Sequence, residues 1–227
     1  MRKTFLLALA ILGAATAAAQ HRSSATATEQ QMIEAGLVCL ADVCPDVQVN
    51  LVLGQADNFL GKRLYTDLQT AYLHPQAALA LKKSQAALKR SHPELSLLVL
   101  DAARPMSVQG HLYATVVGTA KNIYISDPRS GGDQHNYGLA VDITLCDAET
   151  GKPLDMGTDY GVFEAASGLA AEEKTEGEGA LSEEAVNNRK LLRRVMAVSG
   201  YKPLRTQWWH FNFRTRSEAK ANFTVIK

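Results

Sequence analysis

The pattern of apolar and polar positions along the chain marks out a small set of elements. "HPQAALALKKSQAALKRSH" is rich in Ala, Leu and Lys and carries Pro75 at a first-turn position, so it predicts a helix with a basic solvent face. It gives way to "LSLLVLD", an apolar run ending in a charge, which predicts a strand buried on both faces with "DAARP" at its C-terminal end. Residues 107–117 read as helical, and "KNIYISDPRSGGDQ" reads as a short strand followed by a glycine-rich turn. "LAVDITLCD" alternates and is β-branched, so it predicts a strand, and "ETGKPLD" turns the chain back. Residues 165–180 drift to Ala, Glu and Gly without periodicity and read as a surface loop. Ser182 then caps a helix with Glu183 and Glu184 in its first turn, Ala185, Leu192, Val195 and Met196 as its apolar stripe, and Gly200 past its end. The aromatic "TQWWHFNF" predicts a central strand, and no internal repeat is visible. Strands and helices mix without a regular βαβ rhythm. The expected fold is therefore α+β, a single domain with a central, mostly antiparallel sheet flanked by helices.

The N-terminus follows a different pattern. "MRKTFLLALAILGAATAAAQ" has a basic start, an apolar run from Phe5 and small residues at Ala17 and Ala19, which is the layout of a secretory signal peptide. Its apolar core is too short for a membrane span of roughly 20 residues. The expected organisation is a signal peptide over 1–19, a flexible polar leader over 20–31 and a folded domain over 32–227, exported to the periplasm or secreted. Export permits disulfides, and Cys39 and Cys44 are close enough in the chain to close a small loop. The sequence leaves the bridged and the free forms both open, and Cys146 has no evident partner.

Composition narrows the range of partners. The 227 residues are 46% hydrophobic and 21% charged, enough for one good core. With Lys+Arg 24 against Asp+Glu 23 the net charge is +1, so no field favours nucleic acid or an anionic membrane surface. A small, discrete substrate fits better. Oligomeric state is left open.

The chemistry concentrates in "HNYGLAVD". His135 follows a glycine-rich turn and Asp142 lies seven residues on, inside the next strand. A hinge at Gly138 lets an imidazole and a carboxylate reach one ion, and a third ligand from a distant strand would complete a catalytic zinc arrangement with one open position. His210 is the natural candidate. Each residue alone has a plainer reading: a packed histidine, or a strand-edge charge.

Together the motifs resemble the D-alanyl-D-alanine dipeptidases of the vancomycin-resistance type, zinc peptidases related to D,D-carboxypeptidases. "ADNFLGKRLY", "DAARP", "HNYGLAVDITL", "LDMGT", "NRKLLRRVM" and "WWHFNF" occur in the family's order from about residue 45 onward. The resemblance implies a Zn²⁺ cofactor on His135, Asp142 and His210, with Arg104 polarising the scissile carbonyl and stabilising the oxyanion. The alternative for Arg104 is a structural salt bridge with Asp101. The implied substrate is D-Ala-D-Ala or a similar small cell-wall peptide, and Asp133, Asp159 and Trp208 are candidate substrate contacts.

Two positions depart from the family. Gln207 stands where the family has the glutamate that takes a proton from the attacking water. An amide keeps the shape but is no base near neutral pH, and losing a general base costs about 10²–10⁴-fold in rate. Zinc lowers the pKa of bound water to about 7, so slow turnover remains open. So do a substitute carboxylate, among them Asp133, Asp155 and Glu164, and an inactivating change at Gln207. Gly161 stands where the family often has an acid that receives the substrate's ammonium group, and Asp159 is a possible replacement. Three readings follow: a zinc dipeptidase, a base-deficient protein that binds peptidoglycan fragments, and a D,D-carboxypeptidase or endopeptidase acting on longer muropeptides.

Overall fold

The computed structural model describes residues 25–174 and 181–227. The expected signal peptide and the tip of the Glu-rich loop at 175–180 lie outside the described residues. No helix among the described residues is long and apolar enough to cross a membrane.

The sheet is built from the two strongest strand patterns. β4 (Leu95–Asp101) and β5 (Ala140–Asp147) pair antiparallel from Leu95↔Asp147 to Asp101↔Asp142. Here β4 takes its number from chain order, after three two-residue strands: β1 (Val38–Cys39), β2 (Gln48–Val49) and β3 (Tyr72–Leu73). β6 (Lys202–Leu204) and β7 (Gln207–Asn212) complete a five-stranded sheet in the order β2-β4-β5-β7-β6. Only β2 runs parallel to its neighbour, so the sheet is mostly antiparallel as expected. β1 and β3 form a separate two-stranded ribbon.

α1 (Ala27–Glu34), a short turn of helix α2 (Leu40–Val43), α3 (Pro75–Ser91), α4 (Met106–Ala114), α5 (Glu183–Ala197) and α6 (Arg216–Asn222) surround the sheet. α3 buries Ala77, Leu81, Ser84 and Leu88 at helical spacing. α5 buries Ala185, Leu192, Val195 and Met196, the stripe expected from the sequence. The two helices are tied by Ser84 Oγ, which donates to the Val195 carbonyl at 3.0 Å. Against them β5 turns Val141, Ile143 and Leu145, which join the main core. Period-two alternation then sends Asp142 and Thr144 to the other face.

Three expectations are corrected. The leader expected to be flexible through residue 31 contains α1, which starts at Ala27. Its cause is a capping box: Thr26 accepts from Glu29 N, and Glu29 accepts from Thr26 N. Glu29 also accepts from Gln69 N at 3.1 Å, so the helix is fastened to the domain. The strand expected within 121–126 is absent. Thr119 caps a 3₁₀ turn over Ala120–Ile123 instead, and Ile123 is exposed with no sheet edge beside it. Residues 165–173, expected as loop, form two 3₁₀ turns that bury Ser167 and Ala171. Cys39, Cys44 and Cys146 are all free and buried.

Thr26→Ala removes one side of the capping box and should lower unfolding stability by about 0.5–2 kcal/mol, measured by denaturant titration. An unchanged midpoint would show that α1 contributes nothing to the domain.

Candidate metal centre and active site

Three side chains meet on the face of the sheet away from α3 and α5. Asp142 and His210 are paired residues on β5 and β7, so their side chains start side by side. His135 arrives from the 3₁₀ turn Gln134–Tyr137, which Asp133 caps and Gly138 ends in a left-handed conformation. A Cβ at Gly138 would lie 2.7 Å from Leu37 Cδ2 and 2.9 Å from His74 N, so only glycine fits this hinge. His135 Nε2 lies 3.1 Å from Asp142 Oδ1 and 3.1 Å from His210 Nδ1, and His210 Nδ1 lies 3.0 Å from Asp142 Oδ1.

The far sides of both rings decide what this triangle is. His135 Nδ1 is 2.6 Å from the Ala102 carbonyl oxygen, which can only accept, so that nitrogen carries the proton. His210 Nε2 is 3.0 Å from Asn212 Oδ1 and is assigned its proton in the same way. In the neutral rings, the two inward nitrogens therefore hold lone pairs, aimed at each other and at a carboxylate oxygen. Three inward-facing acceptors need positive charge among them, either a proton on an imidazole or a metal ion. A tetrahedral zinc with bonds of roughly 2.0–2.1 Å needs donors about 3.3–3.4 Å apart, close to the size of this triangle. All three ligand atoms lie within 4.8 Å of one another and all three residues are buried. The two-nitrogen, one-oxygen donor set fits zinc.

A second layer holds the ligands in place. Tyr160 donates its hydroxyl to Asp142 Oδ2 at 2.9 Å, and Arg104 Nη2 approaches the same oxygen at 3.5 Å. Arg104 is anchored in turn by Asp101 Oδ2, at 2.8 Å from Nε and 2.5 Å from Nη2, and by Gln109 Oε1 at 2.7 Å. Tyr65 closes the chain with a 2.6 Å hydrogen bond to Asp101 Oδ1. Burial alone would raise the Asp142 pKa, but His135 and His210 outweigh it and hold the carboxyl well below its ordinary range. For His135, burial opposes the charge, yet Asp142 wins and the pKa is raised. Burial, then the charges of Asp142 and Asp101, push Tyr160 well above its usual value, so its hydroxyl stays a donor.

The triad opens into a cavity of about 250 Å³. Aromatic rings form one part of its lining: Phe59, Tyr124, Tyr160, Phe163 and Trp209. Phe59 meets Tyr160 and Phe163 edge-on at 5.5 and 5.6 Å, and Tyr124 stacks on Phe163 at 5.6 Å. Gln207, Arg104 and Asp133 line the same space, so the structure gathers these predicted residues with the triad. Gln207 donates its amide N–H to the Tyr124 carbonyl at 2.7 Å. Asp133 sits 3.7 Å from Arg104 Nη1. Arg104 meets both readings made of it, since it lines the cavity and also forms the salt bridge with Asp101.

Other candidates fall outside this cavity. Trp208 and Asp159 line a separate groove, where Trp208 Nε1 donates to Thr158 Oγ1 at 2.9 Å. Asp155 lies in that groove too, and Glu164 is exposed. Adjacent strand residues face opposite sides, which sends Trp208 and Trp209 to different grooves, and Pro203 pairs with Phe211 while Leu204 pairs with Gln207, so β7 carries extra residues relative to β6. That irregularity lets Gln207, Trp209 and His210 share one cavity.

Comparison with known proteins identifies the family. The sequence matches the family described as D-Ala-D-Ala dipeptidase over residues 33–226. The chain belongs to that family. A D-alanyl-D-alanine dipeptidase of Escherichia coli (strain K12) is 33% identical over 175 residues, 77% of this chain and 83% of that protein. One from Enterococcus faecalis (strain ATCC 700802 / V583) is 22% identical over 197 residues, 79% of this chain and 92% of its own length. The solved LdcB LD-carboxypeptidase is a looser likeness, at 18% identity and TM-score 0.43, covering 82% of this chain and 71% of its own.

Gly161, where the resemblance led to the expectation of an acid, packs against Phe59. Gly161 has φ +83°, and a Cβ there would lie 2.2 Å from Phe59 Cδ1. No acid fits at that point while Phe59 occupies it. Asp159 is exposed and lines the other groove.

Tyr160 is the contact that sequence reading missed, because its hydroxyl reaches Asp142 only through the fold. Tyr160→Phe should weaken zinc affinity by roughly 10-fold or more in a chelator competition, while Trp208→Phe leaves it unchanged. Equal affinities for all three proteins would remove Tyr160 from the site.

Proposed function

We propose that the protein is a zinc-dependent peptidase that hydrolyses D-Ala-D-Ala or a similar small cell-wall-derived dipeptide. The observation that carries this reading is the triangle of lone pairs on His135, Asp142 and His210 in a dipeptide-sized cavity. When bound, zinc supplies Lewis acidity toward the scissile carbonyl and brings the pKa of water to about 7. The signal-like N-terminus supports action outside the cytoplasm.

The chain's own groups divide the remaining work. Tyr160 and Arg104 orient Asp142, and Ala102 and Asn212 orient the imidazoles. Burial by itself opposes the Arg104 charge, but Asp101, Asp133 and Asp142 hold its pKa well above the usual value. Arg104 therefore stays cationic beside the point where negative charge develops on the substrate oxygen. Gln207 spends its N–H on Tyr124, and its amide oxygen can accept from a water without keeping the proton. Turnover is accordingly slow, lacking about 10²–10⁴-fold from a general base.

The bond from Gln207 to Tyr124 supports a second reading, a protein that binds such peptides without cutting them. A carboxylate at 207 would set its oxygen against the Tyr124 carbonyl and lose that hydrogen bond.

The test is hydrolysis of D-Ala-D-Ala by zinc-loaded native protein beside Gln207→Glu. The peptidase reading expects slow native turnover, a kcat gain of about 10-fold or more in the variant, and a stability loss of about 1–3 kcal/mol from the lost donor. Binding without cleavage by the native protein would favour the second reading. No turnover by either form would remove D-Ala-D-Ala as the substrate.

A further inference from the structure

Arg104 lines the cavity with its guanidinium held from two sides. On one side Asp101 Oδ2 accepts from Nε and Nη2. On the other, Nη1 donates at 2.7 Å to Oε1 of Gln109, a fully buried residue of α4. Asp133 lies 3.7 Å from the same nitrogen, which is a charge contact but too long for a hydrogen bond. Gln109 therefore sets the direction of the one guanidinium nitrogen that Asp101 does not reach.

The orientation of the Gln109 amide follows from its partners. A guanidinium only donates, so the amide oxygen faces Arg104. The Ser126 carbonyl only accepts, so Nε2 faces it, at 2.8 Å. An ionised Glu would have no hydrogen for Ser126, and an apolar side chain would leave both a guanidinium hydrogen and a carbonyl unmet in a buried place. The Ser126 end bears on the site because Tyr124, Ile125 and Ser126 all line the cavity. Gln207 holds the same segment from β7, through the Tyr124 carbonyl. Two amides thus fasten one wall segment, and Gln109 is the one that also grips Arg104.

We infer that Gln109 is a positioning residue for the reaction, fixing Arg104 Nη1 against the wall segment 124–126 and so the point at which the oxyanion is met. Gln109 is not part of the cavity lining, and it acts through Arg104. The inference rests on the peptidase reading above and adds a residue to it. A donor aimed in advance at developing charge loses much of its effect when it is free to turn.

The experiment compares the zinc-loaded full chain with Gln109→Glu and Gln109→Met. Glu keeps an acceptor for Arg104 and loses the donor to Ser126, whereas Met fills a similar volume and offers neither. Calorimetric affinities are measured for a phosphinate analogue of D-Ala-D-Ala, whose anionic oxygen imitates the oxyanion, and for D-alanine, which has no such oxygen. Gln109→Met should weaken the phosphinate by about 10-fold and leave D-alanine near native, with kcat for the dipeptide lowered at unchanged KM. Gln109→Glu should recover most of the phosphinate affinity. Equal losses in the two variants, or parallel losses for the two ligands, would reduce Gln109 to a support of the wall and overturn the inference. Arg104 is also followed directly by side-chain nitrogen NMR. Separate Nη1 hydrogens, the sign of arrested rotation about Cζ–Nη1, should persist in native protein and Gln109→Glu and merge in Gln109→Met. If Gln109→Met does not fold, Gln109→Asn, one methylene short of both partners, takes its place with the same expectation. If native protein neither binds the phosphinate nor cleaves the dipeptide, the peptidase reading fails on that substrate. The Arg104 resonances then decide the role of Gln109, and their survival in Gln109→Met overturns it.

Discussion

The structure depends on a local electrostatic constraint. His135 Nε2, His210 Nδ1 and Asp142 Oδ1 sit 3.0–3.1 Å apart, and the outer nitrogens of both rings are committed as donors to Ala102 and Asn212. Lone pairs at that spacing repel unless a positive charge lies between them. In a buried site, where water screens little, this is costly without a cation and strongly favourable with one. The supporting bonds to Asp142 from Tyr160 and Arg104 make sense as restraints on a group that must stay ionised and aimed.

The fold supplies those restraints from distant parts of the chain. Arg104 follows β4 and reaches both Asp101 at the strand's end and Asp142 on β5, so the sheet register sets the distance between them. Tyr160 lies on an irregular segment, and that segment is fastened by Arg189 of α5. Arg189 donates to the carbonyls of Met156 at 2.7 Å and Ala166 at 3.1 Å. Burial lowers the Arg189 pKa to about 10, which still leaves it cationic at neutral pH. The "NRKLLRRVM" and "LDMGT" segments are thus two halves of one joint.

Local signals were legible in the sequence. The strand alternation of β5, the stripe of α5 and the spacing from His135 to Asp142 are all set by neighbours in the chain, and the structure reproduces them. Tertiary contacts were less so. Nothing near Tyr160, Tyr65 or Gln109 in the chain marks them as partners of Asp142, Asp101 and Arg104. Period-two reasoning would place Trp208 with His210, and the uneven pairing of β6 with β7 defeats it. The helix α1 was legible from Thr26 and Glu29, a capping pair masked by the polar residues around it.

The claim that two imidazoles and one carboxylate share a single cation is tested most directly by X-ray absorption on the zinc-loaded protein. The account predicts an inner shell of nitrogen and oxygen at roughly 2.0–2.1 Å with multiple-scattering from two imidazoles. A sulfur shell at about 2.3 Å, drawn from one of the three cysteines, or fewer than two imidazoles, would contradict it.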